Sequence, residues 1–143
     1  AEGATVACGG HKVQVDGKGW FYEPTVITGC THDMRIMRDE IFGPVLPITT
    51  FKTLDEAIEM ANDSVYGLTS SIYTTDYDTV MRAMNEIKFG ETYVNREHFE
   101  AFQGFHQGVR QSGIGGEDGE LGVEEYLETH VCYVDWDTSR NKA

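Results

Sequence analysis

Between Pro44 and Asn95 the apolar positions switch between two periods, and each switch marks an element. Val45-Leu46-Pro47-Ile48-Thr49-Thr50-Phe51 carries the β-branched and aromatic residues of a strand. A helix follows at once, because Leu54, Ala57, Ile58 and Ala61 recur at i, i+3, i+4 and i+7 as one apolar stripe. Thr53 and Glu56 stand ahead of it at capping-box spacing, the Thr hydroxyl accepting from the N3 amide and the Glu reaching back to the cap amide. This helix is expected to end near Asn62, before Gly67. Leu68–Thr74 reads as the next strand, and Asp76 as the N-cap of a second helix with Val80, Ala83, Met84 and Ile87 on one face. Lys88 is placed to favour the C-terminal dipole, Gly90 to take a left-handed cap, and Glu91–Asn95 forms a third strand. Two successive βαβ units imply right-handed crossovers in a parallel sheet, so the expected fold class is α/β.

The flanks are less regular. Thr5–Cys8 is strand-like and stopped by Gly9-Gly10, Gly17–Gly19 signals a turn, and Trp20–Ile27 reads as an edge or extended segment because Pro24 disfavours a central position. Beyond Asn95, five glycines from Gly104 to Gly116 mark a long irregular stretch, functional or disordered by its length. Phe99, Phe102 and Phe105 within it argue against simple disorder. A short helix around Gly122–Tyr126 and a last strand, His130–Val134, complete the pattern, and Thr138–Ala143 is expected to fray.

Composition narrows the possibilities. With 143 residues, 40% of them hydrophobic, the chain suits one domain that buries roughly 70% of its unfolded surface. The net charge of −13 repels phosphate backbones and anionic lipid, which excludes nucleic acid and membrane surfaces as expected partners. No apolar run approaches the ~20 residues of a membrane span and no signal segment opens the chain, so a soluble, cytoplasmic protein is expected. Three cysteines without a C-x-x-C pair read as reduced thiols: Cys8 and Cys132 as buried packing groups, Cys30 as a small loop residue. The five histidines match no ligand spacing, so no metal is expected. The opening Ala1-Glu2-Gly3-Ala4 lacks an initiator Met and suggests a piece of something longer.

Candidate chemistry is sparse. Glu40, followed by Phe42 on a loop stiffened by Pro44, has the groups to accept both hydroxyls of a ribose and to pack a ring on a nicotinamide; an acidic loop with one buried Phe explains the same residues. Gly113-Ile114-Gly115-Gly116-Glu117-Asp118-Gly119 has Asp118 where a dinucleotide fingerprint needs Gly and follows no strand, so flexible loop geometry is the reading. His106, inside the Phe- and Gly-rich loop, has a ring that can bond a polar substrate or simply be solvated.

The run Asp39-Glu40-Ile41-Phe42-Gly43-Pro44-Val45 resembles the E-I-F-G-P-V signature of the NAD(P)-dependent aldehyde dehydrogenase superfamily. Phe21-Tyr22-Glu23-Pro24-Thr25-Val26, Asp55-Glu56-Ala57 through Ala61-Asn62, Tyr66-Gly67-Leu68, Val94-Asn95 and Ser112-Gly113-Ile114-Gly115 match further family motifs in order and spacing. The resemblance implies that residues 1–127 are the C-terminal part of a catalytic domain and 128–143 an oligomerisation strand and tail. It implies that Glu40 binds the ribose hydroxyls of NAD or NADP, that Phe42 packs near the nicotinamide, and that the Asn95–Gly116 loop borders the aldehyde tunnel. His106-Gln107-Gly108 replaces a common Phe-Gly-Gly run, and Gly116 stands where Arg is common, which makes His106 a substrate-wall candidate. With Asn95-Arg96-Glu97, Gln103-Gly104-Phe105-His106 and Tyr126-Leu127, the chain resembles the branch that oxidises small hydroxy-aldehydes such as lactaldehyde and glycolaldehyde. The family's Cys nucleophile, water-activating Glu and oxyanion Asn have no matching motif here, so the chain alone is expected to be inactive. Its expected partners are the remainder of its own polypeptide and a second copy through the last strand. A non-catalytic α/β module that dimerises through that strand is the alternative.

Overall fold

A computed structural model describes residues 2–137 and 139. Strands β1 (Thr5–Cys8), β2 (Lys12–Val15), β3 (Lys18–Tyr22) and β4 (Thr25–Thr28) lead into a short helix α1 (Arg35–Arg38). Then come β5 (Val45–Pro47), α2 (Leu54–Asn62), β6 (Thr69–Ile72), α3 (Tyr77–Glu86) and β7 (Glu91–Val94). Two short strands, β8 (His106–Gln107) and β9 (Gly116–Glu117), and helix α4 (Gly119–Glu124) follow, with a 3₁₀ turn at Arg110–Ser112.

The α/β class holds, and one of the two expected parallel pairings forms. β6 lies parallel to β7, Thr69 opposite Glu91 and Ile72 opposite Val94, and α3 is the crossover between them. β4 lies parallel to β5, with Thr25 opposite Val45, and β1 runs antiparallel on the other side of β4. The first expected βαβ unit does not close: β5 ends a three-stranded sheet, and β6 and β7 form a separate pair. Pro24 also acts differently from its expected role. It separates β3 from β4 instead of sending the whole segment to an edge, and β4 is central in its sheet. The β2–β3 hairpin turns on Asp16-Gly17, both at positive φ, which is what a two-residue turn between right-twisted strands requires.

The helix caps follow the residue chemistry. Thr53 Oγ1 accepts from Glu56 N at 3.2 Å and Asp76 Oδ2 accepts from Thr79 N at 2.8 Å, satisfying donors that each helix start leaves open. Glu56 reaches one residue further back than a capping box predicts, accepting from Lys52 N at 2.7 Å. The end of α3 also differs from expectation, since Gly90 is not left-handed. Asn62 does the joining: its Oδ1 accepts from Lys88 N and its Nδ2 donates to Glu86 O, both at 2.8 Å, tying the end of α2 to the end of α3. Arg82 adds an ion pair to Asp55 across the two helices. Gly90 is glycine for closeness, because a Cβ there would run into the Gln107 carbonyl.

The core is thin. Only Cys30, Met34, Ile58, Ala83 and Tyr93 are buried among the described hydrophobic residues, and no large side chain is fully enclosed. The accessible surface is 11533 Å², against about 7,400 Å² for a compact monomer of this size. The expected burial of a complete domain is therefore not reached. Trp20, Tyr133 and Trp136 are 96%, 95% and 84% exposed. Cys8 and Cys132 are exposed rather than buried, since their apolar flanks have no covering layer. The expected strand at His130–Val134 is not formed: among the described residues the segment has no neighbouring strand to accept and donate its backbone hydrogen bonds. The expectation for Thr138–Ala143 lies, apart from Ser139, outside the described residues.

Candidate active-site wall

The segment after α1 leaves helix geometry at Asp39, and Arg35 holds that carboxylate with Nε and Nη2 at 3.0 and 2.7 Å. Asp39 thus belongs to the helix end, and Glu40, next to it, is exposed. Phe42 then takes φ +47°, a left-handed conformation that costs a bulky L-residue on the order of 1–3 kcal/mol. The residue is 92% exposed among the described residues. Gly43 O accepts from Val45 N at 2.8 Å, and Pro44 O from Thr25 N at 2.8 Å, so the loop is anchored directly to β4 and β5.

Glu40 borders a cleft of about 430 Å³ with Tyr66, Thr69, Phe89, Gln111 and Ser112. Phe42 and His106 do not line it. The far wall is set by the Gly-rich stretch, which is neither disordered nor loosely looped. Gly67 O accepts from Gly90 N at 3.1 Å and Val109 N at 3.0 Å, while Gly67 N donates to Ser112 Oγ at 2.9 Å. Arg110, at φ +57°, donates to the carbonyls of Ser64 and Tyr66 at 2.8 and 3.1 Å. Gly116 sits in the β8–β9 ladder, where a Cβ would strike the His106 carbonyl. The glycines thus serve close backbone packing, a signal that their sequence spacing alone does not carry.

His106 is held at the β7 side of this stretch. Its Nδ1 lies 3.2 Å from Glu91 Oε1, the only charged neighbour it has among the described residues. The contact lacks hydrogen-bond alignment, and Nδ1 is buried without a hydrogen-bond partner. Glu91 Oε2 accepts from the Tyr93 hydroxyl at 2.7 Å. Burial first, and then Glu91, push the Tyr93 phenol up to about 12. His98 stacks on the Tyr93 ring at 5.4 Å, with its Nδ1 2.7 Å from Thr69 Oγ1. Nothing in the pattern of apolar and polar positions singled out Glu91, which reads there as one alternating position of a strand.

His32 and Cys30 are held by local contacts. His32 Nε2 lies 2.9 Å from Asp63 Oδ2, whose carboxyl is held low by Arg38 and then by His32 itself. Cys30 is buried, its thiol directed at the Ile27 carbonyl at 3.7 Å. No group of three metal-ligating side chains occurs among the described residues, and no helix there is long and apolar enough to cross a membrane.

Parallel strand pairs and the helices between them define a mixed α/β protein, with the Glu40 carboxylate at the rim of a cleft and the Phe42 ring on a strained loop beside it. The chain belongs to the aldehyde dehydrogenase family, whose model matches residues 1–132. It is 58% identical over 133 residues to the lactaldehyde dehydrogenase of Escherichia coli (strain K12), covering 93% of this chain and 27% of that protein. The crystal structure of lactaldehyde dehydrogenase from Escherichia coli superposes with a TM-score of 0.88 at 57% identity, over 93% of this chain and 28% of that one. A betaine aldehyde dehydrogenase from Staphylococcus aureus, solved in complex with NAD+, gives 0.84 at 42% identity, over 94% of this chain and 29% of that one. This chain spans little more than a quarter of the length of these relatives.

Proposed function

We propose that this chain carries the nicotinamide-ribose contact, part of the aldehyde-binding wall and an assembly strand of an NAD(P)-dependent aldehyde dehydrogenase. Its substrates are small hydroxy-aldehydes such as lactaldehyde or glycolaldehyde. The observation that carries this reading is the Phe42 ring, held in solvent on a strained backbone two residues after the Glu40 carboxylate at the cleft rim. An ionised carboxylate accepts from two vicinal hydroxyls, and an exposed aromatic face packs against a planar ring, so these residues fit the nicotinamide half of a dinucleotide. A bound NAD(P) would supply the hydride acceptor for oxidation of the aldehyde. Glu40 fixes the ribose and with it the attitude of the ring, and Phe42 keeps water from one side of it. His106 offers a ring nitrogen to the substrate hydroxyl.

The thiol that forms the thiohemiacetal, the Glu that activates water and the oxyanion Asn belong, in this reading, to the remainder of the polypeptide. The buried Cys30 thiol supports that assignment. Residues 1–127 would then continue the catalytic domain, with its apolar surface covered by that remainder, and 128–143 would pair with another copy. The choice of NAD or NADP rests with groups around the adenosine ribose, outside this chain. The test is to purify the chain and follow NAD reduction with lactaldehyde or glycolaldehyde. No turnover is expected; robust turnover with nothing added overturns the placement of the nucleophile elsewhere.

A further inference from the structure

Glu91 and His106 meet because Gly90 has no side chain. The Gln107 backbone packs directly on Gly90, and that approach sets the residue before it, His106, beside the residue after it, Glu91. The Glu91 side chain is only 15% exposed, one oxygen accepting from Tyr93 and the other facing His106 Nδ1. Nδ1 is buried and, among the described residues, has no hydrogen-bond partner. A buried lone pair turned on a carboxylate oxygen is repelled, whereas an N–H in the same place is attracted. The neighbour of one ring nitrogen thereby decides what the other can do.

We propose that Glu91 is a positioning residue that holds the His106 imidazole with Nδ1 protonated and Nε2 presented as the acceptor for the hydroxyl of a 2-hydroxyaldehyde. The inference rests on the reading of His106 as part of the substrate wall. It adds a residue whose effect is on substrate choice: Glu91 acts only through the ring, and only on an aldehyde that carries a hydroxyl. Tyr93 holds the second carboxylate oxygen and so limits rotation of the Glu91 side chain.

The test uses the full-length enzyme that contains this chain, with glycolaldehyde and acetaldehyde, which differ by the one hydroxyl. Glu91→Leu is expected to raise KM for glycolaldehyde about tenfold, the worth of one hydrogen bond, while KM for acetaldehyde and kcat for both stay near wild type. Glu91→Gln, whose amide oxygen can face Nδ1–H in the same place, is expected to recover most of the loss. His106→Phe reproduces the loss, and adding Glu91→Leu to it changes nothing more. Equal losses for both aldehydes, or losses that add in the double variant, overturn the proposal. Should Glu91→Leu fail to fold, Tyr93→Phe decides, with a smaller rise for glycolaldehyde alone expected and no change overturning it. His106→Phe without effect on glycolaldehyde overturns the substrate-wall reading itself, and the proposal with it. A harmful His106→Phe beside a harmless Glu91→Leu overturns the role of Glu91 alone.

Discussion

Asn95 and Thr74 bond each other twice: Asn95 Oδ1 accepts from Thr74 N, and Asn95 Nδ2 donates to Thr74 O, both at 2.8 Å. The pair closes the C-terminal ends of β6 and β7, the side of a parallel sheet where α/β proteins place their ligands. Asn95 itself sits at φ +53°, a conformation that Asn tolerates better than most residues. Asn95→Ala is therefore expected to lose about 1–3 kcal/mol of stability, two exposed bonds and one strained backbone angle combined. Thermal unfolding of the wild-type and variant full-length enzyme measures it; an unchanged Tm contradicts the clamp.

Tyr93 gives a pH signature. Its folded value, pushed up to about 12 by burial and Glu91, lies above the ~10 of an unfolded tyrosine. The stabilisation from the un-ionised phenol is thus fully present below pH ~10 and is lost as pH rises through about 12. Tyr93→Phe is expected to remove one late ionisation from the phenolate absorbance titration and to flatten the alkaline loss of stability. An unchanged titration contradicts the buried phenol–carboxylate bond.

The elements that announce themselves locally were legible in the residues. Thr53 and Asp76 cap α2 and α3 through neighbours three residues away, and the β6–α3–β7 unit needs only a short crossover. The hairpin at Asp16-Gly17 was equally local, but the glycines that follow it masked a Val-rich strand on its first arm. What stayed hidden depends on chain segments brought together from afar. No local pattern says that Gly90 faces Gln107, that Glu91 faces His106, or that β5 and β6 do not pair with each other. His130–Val134 is the converse case: its composition is that of a strand, and a strand exists only beside another.

That segment makes a further prediction. Val131, Tyr133, Val134 and Trp136 are all exposed along an unpaired backbone. If residues 128–143 add to a sheet edge of another copy, removing Thr129 onward from the full-length enzyme lowers the oligomer to a smaller species in light scattering. An oligomer of unchanged mass after that truncation contradicts assembly through the last strand.

Glu40 is proposed to hold the nicotinamide ribose, and steady-state kinetics of the full-length enzyme read that role. Glu40→Gln keeps the size of the side chain and removes the charge that strengthens its hydrogen bonds to the hydroxyls. The predicted result is aldehyde-dependent NAD(P) reduction in the wild type and a fall of at least about tenfold in kcat/KM for the cofactor in the variant, with Tm unchanged. Wild-type kinetics in Glu40→Gln would place the ribose contact on another residue.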